Sequence, residues 1–289
     1  MKRWAVLCLL AGCVPSFEDA PWRVDEARVL GIVSEPPEAR PGDVVQLRAL
    51  VASPEGTLEA APAWSVCTRP RTSAERTAVT QRCLEGEALE TITASWSVLS
   101  DACARFGPNV PPTEDDGVPQ RPSDPDASGG YFVPIQAEAA EAAAFGVVRI
   151  RCDLPGVTRE IFEAYETRYV LNLNPSITRL SASGEPMGED PRSVRPGEAV
   201  VLEVLLDPAE SYVRYEEAAG VLLDEREWQR VQWFVTDGEL ERGQVILEGD
   251  VPAETTWHAP ESPTEVHGWV VVTDARGGAS WRAFAFDVE

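Results

Sequence analysis

A twelve-residue segment occurs twice in this chain, and that repeat limits the folds open to it. Arg40-Pro41-Gly42-Asp43-Val44-Val45-Gln46-Leu47-Arg48-Ala49-Leu50-Val51 returns 155 positions later as Arg195-Pro196-Gly197-Glu198-Ala199-Val200-Val201-Leu202-Glu203-Val204-Leu205-Leu206. Pro-Gly followed by an acidic residue makes a tight turn. The branched, apolar run after it is a strand pattern. Each copy precedes a tryptophan strand, Ala63-Trp64-Ser65-Val66-Cys67 and Gln232-Trp233-Phe234-Val235-Thr236. Each unit closes on a glycine-led apolar strand, Gly146 to Cys152 and Gly268 to Asp274. The same order of elements twice in 289 residues predicts two tandem homologous β domains.

That order resembles the immunoglobulin-like sandwich, in which a core tryptophan lies on the third strand and the sixth strand is strongly apolar. The second half also resembles bacterial Ig-like and polycystic-kidney-disease-type modules. The expected fold is all-β, with two tandem immunoglobulin-like β-sandwich domains joined by a short helix. The first carries long disulfide-held loops. The expected segments are a signal peptide at 1–12, a tether at 13–27, a first Ig-like domain at 28–172 with cysteine-rich insertions and a C-terminal linker helix, and a second Ig-like domain at 173–289. Trp64 and Trp233 read as core residues. Ala137 to Phe145 is alanine- and glutamate-rich and favours helix. Thr158 to Tyr169 also reads as helix, capped by Thr158, with Ile161, Phe162, Tyr165 and Tyr169 along one face. This helix would stiffen the joint ahead of Asn172-Leu173-Asn174-Pro175.

The chain opens with Lys2 and Arg3, a short apolar run from Trp4 to Leu10, and then Ala11-Gly12-Cys13. The run is too short to span a bilayer and suits a secretory signal. Leu10-Ala11-Gly12-Cys13 resembles the bacterial lipobox. The resemblance implies cleavage before Cys13 and a diacylglycerol on its sulfur. In lipoproteins with such a box an aspartate after the cysteine commonly retains the protein in the inner membrane; with Val14 there, the resemblance implies the outer membrane, with the protein facing the periplasm or the cell surface. The chain has 25 basic and 48 acidic groups; without Lys2 and Arg3 the balance is 23 to 48, or −25. Such a charge disfavours nucleic acid as a partner. It also opposes anionic headgroups, so a covalent lipid would have to supply the membrane attachment.

With Cys8 in the signal and Cys13 lipidated, Cys67, Cys83, Cys103 and Cys152 remain. In an oxidising compartment they predict two disulfides. Three pairings are open and spacing does not choose among them. The short Cys67–Cys83 loop, worth up to about 3 kcal/mol, favours that pair with Cys103–Cys152. Zinc is disfavoured, since there is no Cys-x-x-Cys and both histidines, His258 and His267, lie in the other half. Neither histidine accompanies a Gly-x-Ser-x-Gly motif, so no catalytic site and no cofactor are expected. Asp115, Asp116, Asp124 and Asp126 lie among glycines as calcium ligands would, without EF-hand spacing. The acidic residues Asp207, Glu210, Glu216 and Glu217 read as solvated charge.

The lipobox, the cysteine-bearing first domain, Arg149-Ile150-Arg151-Cys152 and the Asn-Pro junction together resemble cell-envelope lipoproteins of myxobacteria with tandem Ig-like domains. That resemblance implies no activity. The expected function is a lipid-anchored, non-catalytic interaction or structural module with an envelope protein or glycan partner. The alternative is a carbohydrate-binding or envelope-glycan-processing lipoprotein, with Trp228 and Trp257 as candidates to stack on sugar rings.

Overall fold

The computed structural model describes residues 20–70, 75, 77–107, 130–154, 156–188, 190–216 and 218–289. The first unit contains β1 (Arg28–Glu35), β2 (Glu38–Ala39), β3 (Val44–Ser53), β4 (Gly56–Thr57), β5 (Ala63–Cys67), α1 (Gln81–Leu84), β6 (Leu89–Ile92), β7 (Ser95–Ser97), α2 (Ala102–Phe106), β8 (Gly130–Ala139) and β9 (Ala142–Arg151). The helix α3 (Arg159–Arg168) follows. The second unit contains β10 (Ile177–Ala182), β11 (Glu185–Pro186), β12 (Arg192–Val194), β13 (Ala199–Leu206), β14 (Ser211–Glu216), β15 (Val221–Arg226), β16 (Gln229–Val235), β17 (Glu239–Leu240), β18 (Gln244–Leu247), β19 (Ala253–His258), β20 (Thr264–Asp274) and β21 (Ala279–Val288).

Both units are sandwiches with one topology. In the first, β1, β4 and β7 pair with β3, opposite a sheet in the order β2-β9-β8-β5-β6. In the second, β11-β10-β13-β19-β17 faces β12-β21-β20-β16-β18. The first strand of each unit pairs antiparallel with the strand after the Pro-Gly turn. A short strand, β2 in the first unit and β12 in the second, then crosses to the other sheet and pairs parallel with the last strand. This is the immunoglobulin-like arrangement, so the chain is two tandem Ig-like sandwiches joined by a short helix.

The repeated turns share one mechanism. Gly42 and Gly197 adopt positive φ, 89° and 69°, which costs glycine nothing. The acidic residue after each glycine folds back: Asp43 accepts from the Arg40 amide at 2.8 Å and Glu198 from the Arg195 amide at 3.0 Å. Trp64 and Trp233 lie buried on corresponding strands, β5 and β16, in the two cores.

Two expectations are corrected. Ala137 to Phe145 is not helical: it forms the end of β8, a tight turn and the start of β9. Ile135, Ala137 and Ala139 alternate onto the buried face, so sheet pairing with β5 and β9 overrides alanine's helix propensity. Gly146 to Cys152 also has a different counterpart. Residues 146–151 belong to the last strand of their sandwich, whereas Gly268 to Asp274 lies in the penultimate strand. The true counterpart of β20 is β8, whose strand pattern is interrupted by Pro134.

The sandwiches are stacked face to face. In β20, Val266, Val270 and Val272 point into the second core, while Trp269 and Val271 point outward. Those two meet Leu50 and Ala52 of β3, with Val24, Phe234, Leu30 and Trp281 completing the layer. Contact is close enough that a Cβ on Gly31 would lie 3.3 Å from Val271 Cγ1. Trp269 donates its indole N–H to Thr57 at 2.8 Å. The stretch before β1 belongs to the same interface. The Val24 amide donates to the Val235 carbonyl at 2.9 Å and the Val235 amide to Trp22 at 3.1 Å. Arg23 pairs with Asp237 at 2.7 Å.

Candidate functional site

Cys13, Asp115, Asp116, Asp124 and Asp126 lie outside the described residues. Cys67 is bonded to Cys83 and Cys103 to Cys152. The first pair ties β5 to α1, and the second ties α2 to the end of β9. Trp257 cannot stack on a sugar, which corrects that expectation. Its side chain is wholly buried, lies 4.5 Å from the Phe286 ring and donates to the Asp237 carbonyl at 3.0 Å. Trp228 is partly exposed, with the Arg230 guanidinium 5.3 Å from its ring. His258 lies 3.6 Å from Glu241 and His267 lies 3.8 Å from Glu265, the first half-exposed and the second largely covered beside Gly56. Among the described residues, no group of three or more His, Cys, Asp or Glu side chains could hold a metal ion.

The densest chemistry lies at the junction of the two sandwiches. Arg276, in the β20–β21 turn, is fully buried. Its Nε donates to Glu227, its Nη2 to Glu210 at 3.0 Å, and its Nη1 to the Val170 carbonyl at 2.6 Å. Its guanidinium also lies 4.3 Å from the Tyr212 ring. Across the junction stands Glu38 of β2, buried beside Arg149 of β9 at 3.8 Å. The segment after α3 links the two groups. The Tyr169 hydroxyl donates to Glu38 at 2.8 Å, and the Asn172 amide donates to it at 3.1 Å.

Asn172 and Asn174 are two-sided clips. The Asn172 backbone holds Glu38 of the first sandwich, and its Nδ2 reaches Asp274 of the second at 3.4 Å. Asn174 Nδ2 donates to the Ser34 carbonyl at 2.9 Å, while its Oδ1 accepts from the Ala279 amide at 2.9 Å. The helix α3 braces the same joint. Thr158 caps it by accepting from the Ile161 amide at 3.3 Å. Glu166 reaches Arg151 at 2.6 Å and Arg40 at 3.7 Å, and Arg168 reaches Asp224 of β15 at 2.5 Å. Tyr165 packs with Val213 of β14 and Leu154.

Four carboxylates, Glu38, Glu210, Glu227 and Asp274, face two guanidiniums, Arg149 and Arg276. Burial pushes the Glu227 carboxyl up to about 7, helped by the charge of Asp274 and opposed by Arg276. Burial raises Asp274 as well, against the N–H groups of Gly278 and Arg276 that it accepts. Burial likewise keeps Tyr165 and Tyr169 protonated well above the usual phenol range. These side chains engage one another across the junction, so the arrangement holds the two sandwiches in one geometry. The Asn-Pro junction was visible in the sequence. Glu210 is not the solvated charge expected, since it holds the buried Arg276, and the roles of Glu38, Glu227 and Arg276 gave no signal, because charge in so acidic a chain reads as solvated.

Among the described residues, surface clefts also lie away from the junction. One, about 590 Å³, is lined mainly by apolar residues including Leu47, Trp64 and Ile92, with Arg48 and Trp281 where the sandwiches meet. The Arg48 guanidinium is 5.5 Å from the Trp281 ring. The other, about 510 Å³, lies between Arg40, Arg151 and the Cys103–Cys152 bridge.

No protein-family model and no curated protein matches this chain. Solved structures give distant likenesses. A lipoprotein from Bacteroides thetaiotaomicron is 16% identical over 41% of this chain and 82% of its own, with a TM-score of 0.27. The D0-D1 domain of intimin is 14% identical over 90% and 99%, with a TM-score of 0.25. The fibronectin(III)-like modules of Clostridium thermocellum CbhA are 10% identical over 94% and 92%, with a TM-score of 0.26. At such scores the assignment to Ig-like sandwiches rests on strand order and pairing alone.

Proposed function

We propose that this protein is a lipid-anchored module of the cell envelope that acts by non-catalytic interaction, as a rigid two-domain body attached through Cys13. The observation that carries this reading is the joint. A buried apolar layer and a buried ionic network lock two sandwiches face to face, so their charged and aromatic side chains are committed to rigidity. The lipobox and Val14 support an outer-membrane address, with an envelope protein or glycan as partner and no nucleic acid. Metabolic labelling with an alkyne fatty acid tests the anchor. Label should enter the wild-type chain and be lost in Cys13→Ala, which should leave the membrane fraction; label retained by Cys13→Ala sinks the anchor. Photo-crosslinking in intact envelopes tests the interaction, and a lipidated protein that captures no specific partner from any exposed face argues against it.

The cleft beside Trp281 favours a second reading, glycan binding. It combines an indole, a guanidinium and threonines in a recess of ligand size. Glycan-array binding lost in Arg48→Ala would support it.

A further inference from the structure

We infer that this protein has a fixed polarity at the membrane: the end of the second sandwich that carries Trp22, Val235, Asp237 and Gly243 faces the bilayer, and the end built from α3 and the β14–β15 hairpin faces away. The inference rests on the proposed lipidation of Cys13 and on where the chain first docks. An N-terminal lipid on a tandem protein would ordinarily place its first domain next to the membrane. Here the first described residues do not lead straight into the first sandwich. They lie on the second, held by the paired Val24–Val235 and Val235–Trp22 backbone bonds and the Arg23–Asp237 ion pair. Trp22 packs so close to Gly243 that a Cβ there would lie 2.8 Å from its ring. Arg28 tightens the segment by donating to the carbonyls of Pro21 and Arg23 at 3.0 and 2.8 Å.

Chain length then limits how far the docked end can stand from the lipid. Seven peptide bonds, with six intervening residues, separate Cys13 from Ala20. Whatever their conformation, they span at most about 25 Å. The docking point is therefore held near the lipid. The opposite end lies farther off. From Gly268, opposite Val235, β20 runs six residues to Asp274 at the junction, about 20 Å at strand rise. The α3 helix and the β14–β15 hairpin belong to that end: the hairpin springs from Glu210 and Glu227 of the junction, and α3 bridges it to the first sandwich through Arg168–Asp224 and Glu166–Arg40. The first sandwich follows the same axis, since β3 runs from Ala52 beside the docking segment to Val44 near the Pro-Gly turn. Because the joint is rigid, both sandwiches share the orientation. The lipid surface thus takes one pole, and a partner has access to the other, where Val170, Leu171, Leu173, Val221 and Leu223 are exposed.

The test uses the full lipidated chain reconstituted into phosphatidylcholine vesicles with a headgroup-attached acceptor dye. A donor dye is placed either on Glu265→Cys, at the docking end, or on Glu163→Cys, on exposed α3. Flotation and intact mass report the lipid, with Cys13→Ser as the unanchored control. Energy transfer should be at least about twofold higher from position 265 than from 163. A wild-type chain that neither floats nor carries lipid mass overturns the anchor and the orientation with it. A chain that floats but transfers equally from both positions, or more from 163, overturns the orientation alone.

Discussion

Arg276 shows how one side chain can define a joint. It is fully buried and reaches Glu227 and Glu210 of its own sandwich, the Val170 carbonyl of the connecting segment and the vicinity of Glu38 in the other sandwich at 4.0 Å. Removing one member of a buried ionic group strands its partners, which typically costs 3–5 kcal/mol. Arg276→Met should therefore lower unfolding stability by about that amount, measured as a shift in the denaturant midpoint at neutral pH. Adding Glu227→Leu should recover part of the loss, because one stranded carboxylate disappears. Glu227 also makes the joint sensitive to pH. Its folded-state value of about 7 lies above its ordinary 4.5, so between those limits the folded chain holds a proton that the unfolded chain has released. Stability from this group is thus greatest in mild acid, falls as pH rises from about 4.5 to 7, and is level above that. The span corresponds to on the order of 3 kcal/mol. Glu227→Gln cannot titrate and keeps an acceptor for Arg276. Denaturation of both proteins at pH 5, 6 and 7.5 should show the wild type losing stability relative to the variant; parallel profiles would refute the assignment.

Elements were legible in the sequence wherever a local rule and the fold agreed. The Pro-Gly turns, the tryptophan strands and the Thr158-capped helix all stand where turn chemistry, alternation and capping place them. Ala137 to Phe145 misled because alanine favours helix in isolation yet fits a sandwich interior well. The turn between β8 and β9 was hidden for a related reason. Ala140 and Glu141 both adopt left-handed φ, 49° and 64°, although neither residue type signals such a turn. That mismatch stores strain of about 1–2 kcal/mol per residue. Ala140→Asn with Glu141→Gly supplies the residues this turn geometry prefers and should raise stability by about 1–2 kcal/mol in denaturant melts, with the far-ultraviolet spectrum unchanged. A stable helix here would instead predict a loss, since glycine is among the poorest helix formers. The interface had a sequence signal as well. Trp269-Val270-Val271-Val272 and Ala49-Leu50-Val51-Ala52 are continuous apolar runs where a half-exposed strand would alternate, and such runs mark strands covered on both faces. The ionic joint had no such signal, because its members come from positions 38, 149, 210, 227, 274 and 276, and only the fold gathers them.

At the scale of the molecule, the two sandwiches have separate interiors but share a layer. The second core gathers around Trp233 and Trp257, the first around Trp64 and Trp96, and between them Trp269, Val271 and Phe234 meet Leu50, Ala52 and Val24. Tandem domains linked only by a flexible segment would melt independently. Here the shared layer and the network around Arg276 make opening either sandwich expose apolar surface and buried charge on the other. The free energy of that coupling should exceed the stability difference between the domains, so the wild-type chain should unfold in calorimetry as one transition whose calorimetric and van't Hoff enthalpies agree. Trp269→Ala removes a buried indole from the shared layer, with a typical cost of 3–5 kcal/mol. Combined with Arg276→Met it should uncouple the sandwiches without emptying the Trp233 or Trp64 core. The double variant should then melt in two steps, with a calorimetric enthalpy approaching twice the van't Hoff value. Two transitions already present in the wild type would mean that the interface is too weak to couple the domains, and the rigid body on which the proposed orientation depends would fail with it.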